Sequence, residues 1–418
     1  MYRDIVAGVT TFLTMAYIVV VNPAILSSPG TNIPFSGALT ATVLVCFTMT
    51  LLMGVYAKLP FGVAPGMGLN AFFAYTLIIN GGIAWPVALG ITFWAGMAFL
   101  LVSVTPLRER VAMAIPLSLR SAAAGGIGLL LTFIGLQNAG FVVANPATLV
   151  GVGPIDHRTA LVLAALIVSV WLARREHPLA YLAGIALVTA GAWLGGYVSP
   201  PSAWFSPPDF TSVFLKLDVW GALQLALVPA IVTVMLTDLF DSVSTFIGVS
   251  QAAGLTDDQG APKNLRKGLI VDSFATFGAA LFGSSAGTAY VESIARIRAG
   301  GRTGRSAIVT ACCFLPCLFI APVAAAIPPY ATSAVLILVG IAMFQSVTSV
   351  SFDRLEIAVP AFATLILIPL TFSITQGILW GFILHAALHV ITGRPREVTP
   401  AAWGLAAVSI VLLTIENP

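Results

Sequence analysis

Apolar runs of roughly 17 to 25 residues follow one another from Asp4 onward, and each is long enough to cross about 30 Å of hydrocarbon as a helix. Short polar breaks separate them. The pattern predicts spans at 4–27, 36–57, 61–79, 83–105, 115–137, 159–173 and 178–198 in the first half. In the second half it predicts 217–249, 266–282, 284–299, 306–326, 331–348, 354–370 and 373–392, giving an all-α polytopic membrane protein of about 14 transmembrane helices. Residues 1–27 carry Asn22 and Pro23 and lack a convincing small-residue cleavage site, so they read as a retained first span and not as a secretory signal. The apolar stretch Ala401 to Ile415 is short for a span and reads as a lipid-facing or surface helix.

Composition agrees with a bilayer as the main solvent. Of 418 residues, 58% are hydrophobic and only 8% are charged, and the mean hydropathy is +1.00. The net charge of +3 matters less than where the charges fall. With a cytoplasmic N-terminus, Lys58, Arg108, Arg110, Arg174, Arg175, Lys263, Arg266, Lys267, Arg302, Arg305 and Arg394 all lie on the cytoplasmic side, and only Arg158 and Lys216 lie opposite. That asymmetry supports both the orientation and an even number of spans. Cys46, Cys312, Cys313 and Cys317 sit inside apolar runs, where a thiol packs as a small hydrophobe.

The halves repeat. The first span centres near Met15 and the eighth near Asp238, the fourth near Phe93 and the eleventh near Leu315, both pairs about 222 residues apart. Seven spans per copy is an odd number, so the second copy enters from the opposite face, giving a 7+7 inverted repeat. Transporters built this way place substrate at mid-membrane on broken helices. Two breaks are expected here, in the third span (F-G-V-A-P-G-M-G-L-N, 61–70) and the tenth (G-S-S-A-G-T-A-Y-V-E, 283–292). Gly66, Gly68, Gly283 and Gly287, with Pro65, deny both stretches a continuous helix. Free backbone groups at that depth are tolerated only against protein or a water-filled cavity. Each break is a candidate half of a binding site; alternatively, its glycines serve close helix packing.

Ionisable groups within apolar spans cost about 2.5 to 3.5 kcal/mol each to insert and are functional candidates. Asp238 and Asp241 stand at i and i+3 in the eighth span with Thr245 a turn on, Glu292 follows the second break, and Asp272 lies in the ninth span toward its cytoplasmic end. No basic residue sits at similar depth, so these acids must be protonated, hydrogen-bonded, or matched to a cation or a donor-rich substrate. Asp238, Asp241 and Glu292 are the candidate proton carriers, with Na⁺ as the alternative coupling ion and a helix-capping acid as the structural one. A carboxylate beside amide and hydroxyl groups suits a flat heterocycle with N–H and C=O edges. Asn70, Asp238, Ser285, Thr288 and Glu292 are candidate contacts to it, and Phe72, Phe73 or Tyr290 candidate stacking rings. One proton crossing 100 mV releases about 2.3 kcal/mol, enough for roughly fifty-fold accumulation of a neutral solute.

Other features carry less. G-G-R-T-G (300–304) lacks the Lys and the preceding strand of a phosphate loop. His385 and His389 have no third ligand and read as packing, and Arg296 and Arg298 read as interfacial anchors. No cofactor, metal or nucleic acid is called for. A channel, an anion carrier of similar fold and a membrane enzyme each fit the acids less well: the first needs rings of like residues, the second a basic or dipolar centre, the third a nucleophile with its base.

Taken together, F-L-T-M-A-Y-I-V-V-V-N-P (12–23), G-M-G-L-N-A-F-F-A-Y-T (66–76), T-D-L-F-D-S-V-S-T-F-I-G-V (237–249), Y-V-E-S (290–293) and G-G-R-T-G resemble the AzgA-like purine permeases, within the group that also holds uracil and xanthine carriers. The resemblance runs in order along nearly the whole chain. It implies proton-coupled import of adenine, guanine or hypoxanthine across the cell inner membrane by an elevator-like cycle, often by a homodimer. It also implies a core domain of 1–107 and 215–327, a gate domain of 108–200 and 328–393, and a C-terminal tail of 394–418. Position by position, the family's third-span asparagine falls on Asn70, its eighth-span acid on Asp238 with Asp241 beside it, and its tenth-span glutamate on Glu292. The sequence departs from the family around Glu292, where S-S-A-G-T precedes and I-A-R-I-R follows.

Overall fold

The computed structural model describes residues 2–105, 116–256, 263–294 and 301–416. Arg108, Arg110, Arg296, Arg298, Gly300 and the 107/108 domain boundary lie outside them. The described chain is mostly helical. Eight helices are long and apolar enough to cross a membrane, and five shorter apolar ones accompany them.

The first span divides into α1 (Tyr2–Met15) and α2 (Ile18–Leu26), and Pro23 inside α2 supplies no N–H to the turn before it. Next come α3 (Phe35–Leu52), a π-helical turn Met53–Ala57, strand β1 (Val63–Pro65), α4 (Met67–Ala71) running into a π-helical stretch Phe72–Asn80, and α5 (Trp85–Val104). After α6 (Leu117–Asn138) a β-hairpin, β2 (Val142–Asn145) and β3 (Leu149–Val152), precedes α7 (His157–Arg174) and α8 (Ala180–Leu194). The second half holds α9 (Val228–Ala253), α10 (Leu265–Phe282), β4 (Gly287–Ala289), α11 (Gly304–Phe314), α12 (Ala321–Ala325), α13 (Ser333–Phe344), α14 (Leu355–Thr371), α15 (Ile374–Ile391) and α16 (Pro400–Glu416).

Several elements differ from the hydropathy reading. The eighth span begins as two 3₁₀ turns and becomes an α-helix only at Val228. The eleventh is not one helix, because a 3₁₀ turn containing Pro316 separates α11 from α12. The hairpin of β2 and β3 was hidden because its alternation is short and turns on Asn145-Pro146, with Leu149 at φ +66°. Helix α16 packs on α15 and α9 instead of lying only against lipid, burying Ala402, Ala406, Ser409 and Leu412 on one face. Of the cysteines only Cys46 is buried; Cys312 is exposed and Cys313 and Cys317 are half-buried, so the apolar run around them faces outward.

Packing sorts the helices into two sets. In one, α5 lies along α10, α1 along α11, and α3 against α2, α10 and α11; in the other, α6 lies along α13 and α14, and α14 along α15. Backbone contact at α6 and α13 is close enough that a Cβ on Gly128 would stand 2.5 Å from the Gly340 carbonyl oxygen.

The loop between α8 and α9 is anchored by Asp209. Its carboxylate accepts from Ser36 Oγ at 2.8 Å, Ser212 Oγ at 2.7 Å and the Thr211 and Ser212 amides at 3.1 Å. Burial alone would raise its pKa, but these donors hold it down to about 2. Because the folded value lies below the unfolded one of about 3.9, the contribution is complete above that pH and is lost as pH falls toward the folded value. Asp209→Asn should therefore lower the stability of the detergent-solubilised protein at neutral pH by about 2 kcal/mol. Thermal unfolding checks this, and an unchanged midpoint would refute the anchoring role.

Candidate functional site

Two strands from opposite halves of the sequence meet inside the helical body. β1 pairs antiparallel with β4 in the register Val63↔Ala289, Ala64↔Thr288, Pro65↔Gly287, and all six residues are buried. The ladder continues on both sides, with the Gly66 amide donating to Ala286 O and the Tyr290 amide to Gly62 O, each at 2.9 Å. Backbone groups that neither break could satisfy alone are thus satisfied by the other. At the entry to the second break Gly283 adopts φ +92°, a conformation open to glycine and strained for other residues.

Side chains then lock the pair. Ser285 Oγ donates to Asn70 Oδ1 at 2.5 Å, and the Tyr290 hydroxyl donates to the Pro65 carbonyl at 2.5 Å. Asn22 of α2, fully buried, donates from Nδ2 to Thr42 Oγ1 at 2.8 Å and to Ser284 Oγ at 3.2 Å, tying the first span to the second break. Phe72 and Tyr290 are 1% and 5% exposed, so protein encloses both rings in this state.

The acids form one electrostatic cluster through Asp241 and differ in burial. Asp241 and Glu292 are half-buried and are electrostatic neighbours, and Tyr17 donates its hydroxyl to Glu292 Oε1 at 2.7 Å. Asp238 and Asp272, on α9 and α10, are fully buried and adjacent. Thr276 Oγ1 donates to Asp238 Oδ2, and Ser242 Oγ donates to Asp272 Oδ2 while lying 3.0 Å from Thr288 Oγ1. The remaining oxygen of each, Asp238 Oδ1 and Asp272 Oδ1, is buried without a side-chain partner among the described residues. Ion pairs among the described residues involve Asp156, Glu356 and Glu397, none of which belongs to this cluster. Two carboxyls that share a dry site cannot both carry charge at low cost, and a single proton held between them relieves the conflict.

The arrangement brings Asn70, Ser285, Thr288, Asp238, Asp241 and Glu292 to the two breaks. It also adds residues that the sequence reading ranked low. Asp272 was placed toward a helix end, yet it faces Asp238. Tyr17 gave no signal in an apolar run. Asn22 was noted only for spoiling a signal peptide, although a lone amide amid valines is costly unless satisfied. Thr245 is buried on α9, and His389 Nδ1 lies 2.8 Å from the His385 carbonyl, a contact internal to α15.

Comparison with known proteins follows the same lines. The chain is 38% identical to adenine permease AdeP of Escherichia coli (strain K12), over 98% of this chain and 92% of that protein. It is 37% identical to guanine/hypoxanthine permease PbuO of Bacillus subtilis (strain 168), over 99% and 97%. Among solved structures, the transmembrane domain of the cyanobacterial bicarbonate transporter BicA superposes with a TM-score of 0.65 at 18% identity, covering 91% of this chain and 97% of that one, a likeness of fold. Residues 3–380 match the profile Xan_ur_permease, described as the Permease family. With that match spanning most of its length, and with relatives above one-third identity from end to end, this multi-pass membrane chain belongs to the Xan_ur_permease family of permeases.

Proposed function

We propose that the protein imports purine nucleobases (adenine, guanine or hypoxanthine) together with a proton. The observation that carries this reading is the gathering of four acids at the paired breaks, with Asp241 and Glu292 half-buried and Asp238 and Asp272 fully buried, where Ser285 of the second break also holds Asn70 of the first. Carboxylates and an amide at a helix break accept from and donate to the edge of a base. Two buried neighbouring acids, each accepting from a hydroxyl and with no salt bridge to a cation among the described residues, can hold and release a proton. The names of the relatives, adenine and guanine/hypoxanthine permeases, point to the same cargo.

In this reading the two packing sets are the core (1–107 and 215–327) and the gate (108–200 and 328–393) of a 7+7 inverted repeat. The core carries the base and proton across by an elevator displacement against the gate of a homodimer. The N-terminus lies in the cytoplasm of a plasma-membrane protein. An anion carrier of the same fold would want a positive or purely dipolar centre, and these acids oppose it.

The test is uptake of labelled hypoxanthine, guanine, adenine, xanthine and uracil into cells lacking their own carriers, with and without a protonophore and with sodium replaced by choline. Purines should accumulate up to roughly fifty-fold at 100 mV, collapse to equilibrium with the protonophore, and ignore the loss of sodium. Sodium-dependent, protonophore-resistant uptake, or uptake of uracil or xanthine alone, would overturn the reading.

A further inference from the structure

The end of α6, the start of α7 and the segment after α8 surround a pocket of about 400 Å³, to which neither break contributes a residue. That volume suits a small ligand or a headgroup. Asn138, His157, Arg158 and Tyr197 line it, and residues 325–330, which lead from α12 toward α13, close it. Trp193 of α8 holds this linker by donating from Nε1 to the Ala326 carbonyl at 3.3 Å. With the orientation proposed above, the pocket lies on the face away from the cytoplasm, where the proposed core passes into the proposed gate.

Its chemistry is that of an anion site. His157 and Tyr197 stack at 3.7 Å between centroids, 12° from parallel. The guanidinium carbon of Arg158 lies 6.0 Å from the centre of the Tyr330 ring. Asp156 Oδ2 is 3.9 Å from Arg158 Nε, too far for a hydrogen bond, so the guanidinium fork keeps its donors. Asp156 instead caps α7, accepting at Oδ1 from the Arg158 amide at 3.0 Å and the Thr159 amide at 3.1 Å. Tyr330 is 8% exposed, and its hydroxyl is buried without a hydrogen-bond partner among the described residues. Beside these polar groups the chain presents bare aliphatic side chains: Val152, Ile155 and Leu194 are 91%, 85% and 90% exposed. Ile155 shortly precedes Arg158, and Leu194 shortly precedes Tyr197. A basic, aromatic pocket with an aliphatic collar matches a ligand with a charged head and apolar tails.

We propose that this pocket binds the phosphate of an anionic phospholipid from the outer leaflet, an assignment that rests on neither the cargo nor the coupling ion proposed above. The Arg158 fork takes two phosphate oxygens. The Tyr330 hydroxyl and the Asn138 amide donate to the others, and the acyl chains lie along the collar. None of the described residues lining the pocket is acidic, so a choline group finds no partner and a zwitterionic lipid binds more weakly. A soluble phosphate lacks the tails that the collar would cover. Because its contacts come from α6, α7 and the linker together, the lipid stabilises the folded chain.

The test is thermal unfolding of the purified, detergent-solubilised protein titrated with phosphatidylglycerol, phosphatidylcholine or glycerol 3-phosphate. Wild type is compared with Arg158→Gln, Tyr330→Phe and Lys216→Gln, the last an exposed cation outside the pocket. Phosphatidylglycerol should raise the midpoint saturably in wild type and in Lys216→Gln. The lipid concentration giving half the rise should increase roughly ten- to hundredfold in Arg158→Gln, the loss of a charge-assisted contact. In Tyr330→Phe, which keeps the ring and its packing, it should increase roughly three- to tenfold. A wild-type response in both pocket variants, or an equal response of wild type to phosphatidylcholine, overturns the proposal. Glycerol 3-phosphate acting as well as phosphatidylglycerol would assign the pocket to a soluble anion and overturn the lipid. Light scattering on the same samples covers the remaining occupant: a changed oligomeric state in Arg158→Gln with its lipid response intact would make this face a contact between copies and overturn the proposal too.

Discussion

Glu292→Gln is expected to raise KM for purine bases roughly ten- to hundredfold while leaving the protein folded in the membrane. The carboxylate accepts from Tyr17 at 2.7 Å and, half-buried, has further acceptor capacity. The amide is the same size but presents an N–H₂ group to donors. A hydrogen bond to a charged acceptor contributes about 1.5 to 3 kcal/mol, so losing the one to the base weakens apparent affinity roughly ten- to hundredfold. Initial-rate uptake over a concentration series, normalised to surface expression, measures the effect. A KM within threefold of wild type would remove Glu292 from substrate binding.

Asp272→Asn should produce a different defect. The Asp238–Asp272 pair is fully buried and makes no salt bridge to a cation among the described residues. An amide in place of one carboxyl fixes a permanent neutral donor there, so the remaining acid no longer shares a proton with a twin. Exchange of labelled for unlabelled base across the membrane should persist, while the accumulation ratio falls from roughly fifty to about one and protonophore sensitivity disappears. Asp238→Asn should match it, and the double variant should be no worse than either, because residues acting as one unit are not additive. Retained accumulation in Asp272→Asn would dismiss the pair as the coupling device.

The sequence carried the fold well where one physical signal dominated. Long apolar runs have a single solution in lipid, and α6, α7 and α15 fall within a few residues of their expected bounds. Both breaks were legible, since Gly and Pro at such density exclude a helix, and Asn70, Asp241 and Glu292 were legible because charge and amide groups are costly at that depth. Less legible were features decided by partners distant in sequence. Tyr17 is an ordinary aromatic until α1 and α2 part beside Glu292, and Asp272 looked peripheral because the depth of a residue along its own span says nothing about the neighbour it faces. The α11–α12 interruption was missed because two prolines in an apolar run are compatible with a kinked span as well as a broken one.

The pairing of β1 with β4 also bears on how the chain is made. The bond from Tyr290 to Pro65 joins residues 225 positions apart, and ribosomes add about 5 to 20 residues each second. Val63 can pair early with Thr50 Oγ1, but for roughly eleven to forty-five seconds the Gly62 carbonyl and Gly66 amide wait in a half-inserted nascent chain with no permanent partner. Biogenesis must shelter that segment, at the translocon or against water-lined neighbours, until its counterpart emerges. A ribosome that stalls before Gly283 leaves an orphaned half for quality-control proteases to clear.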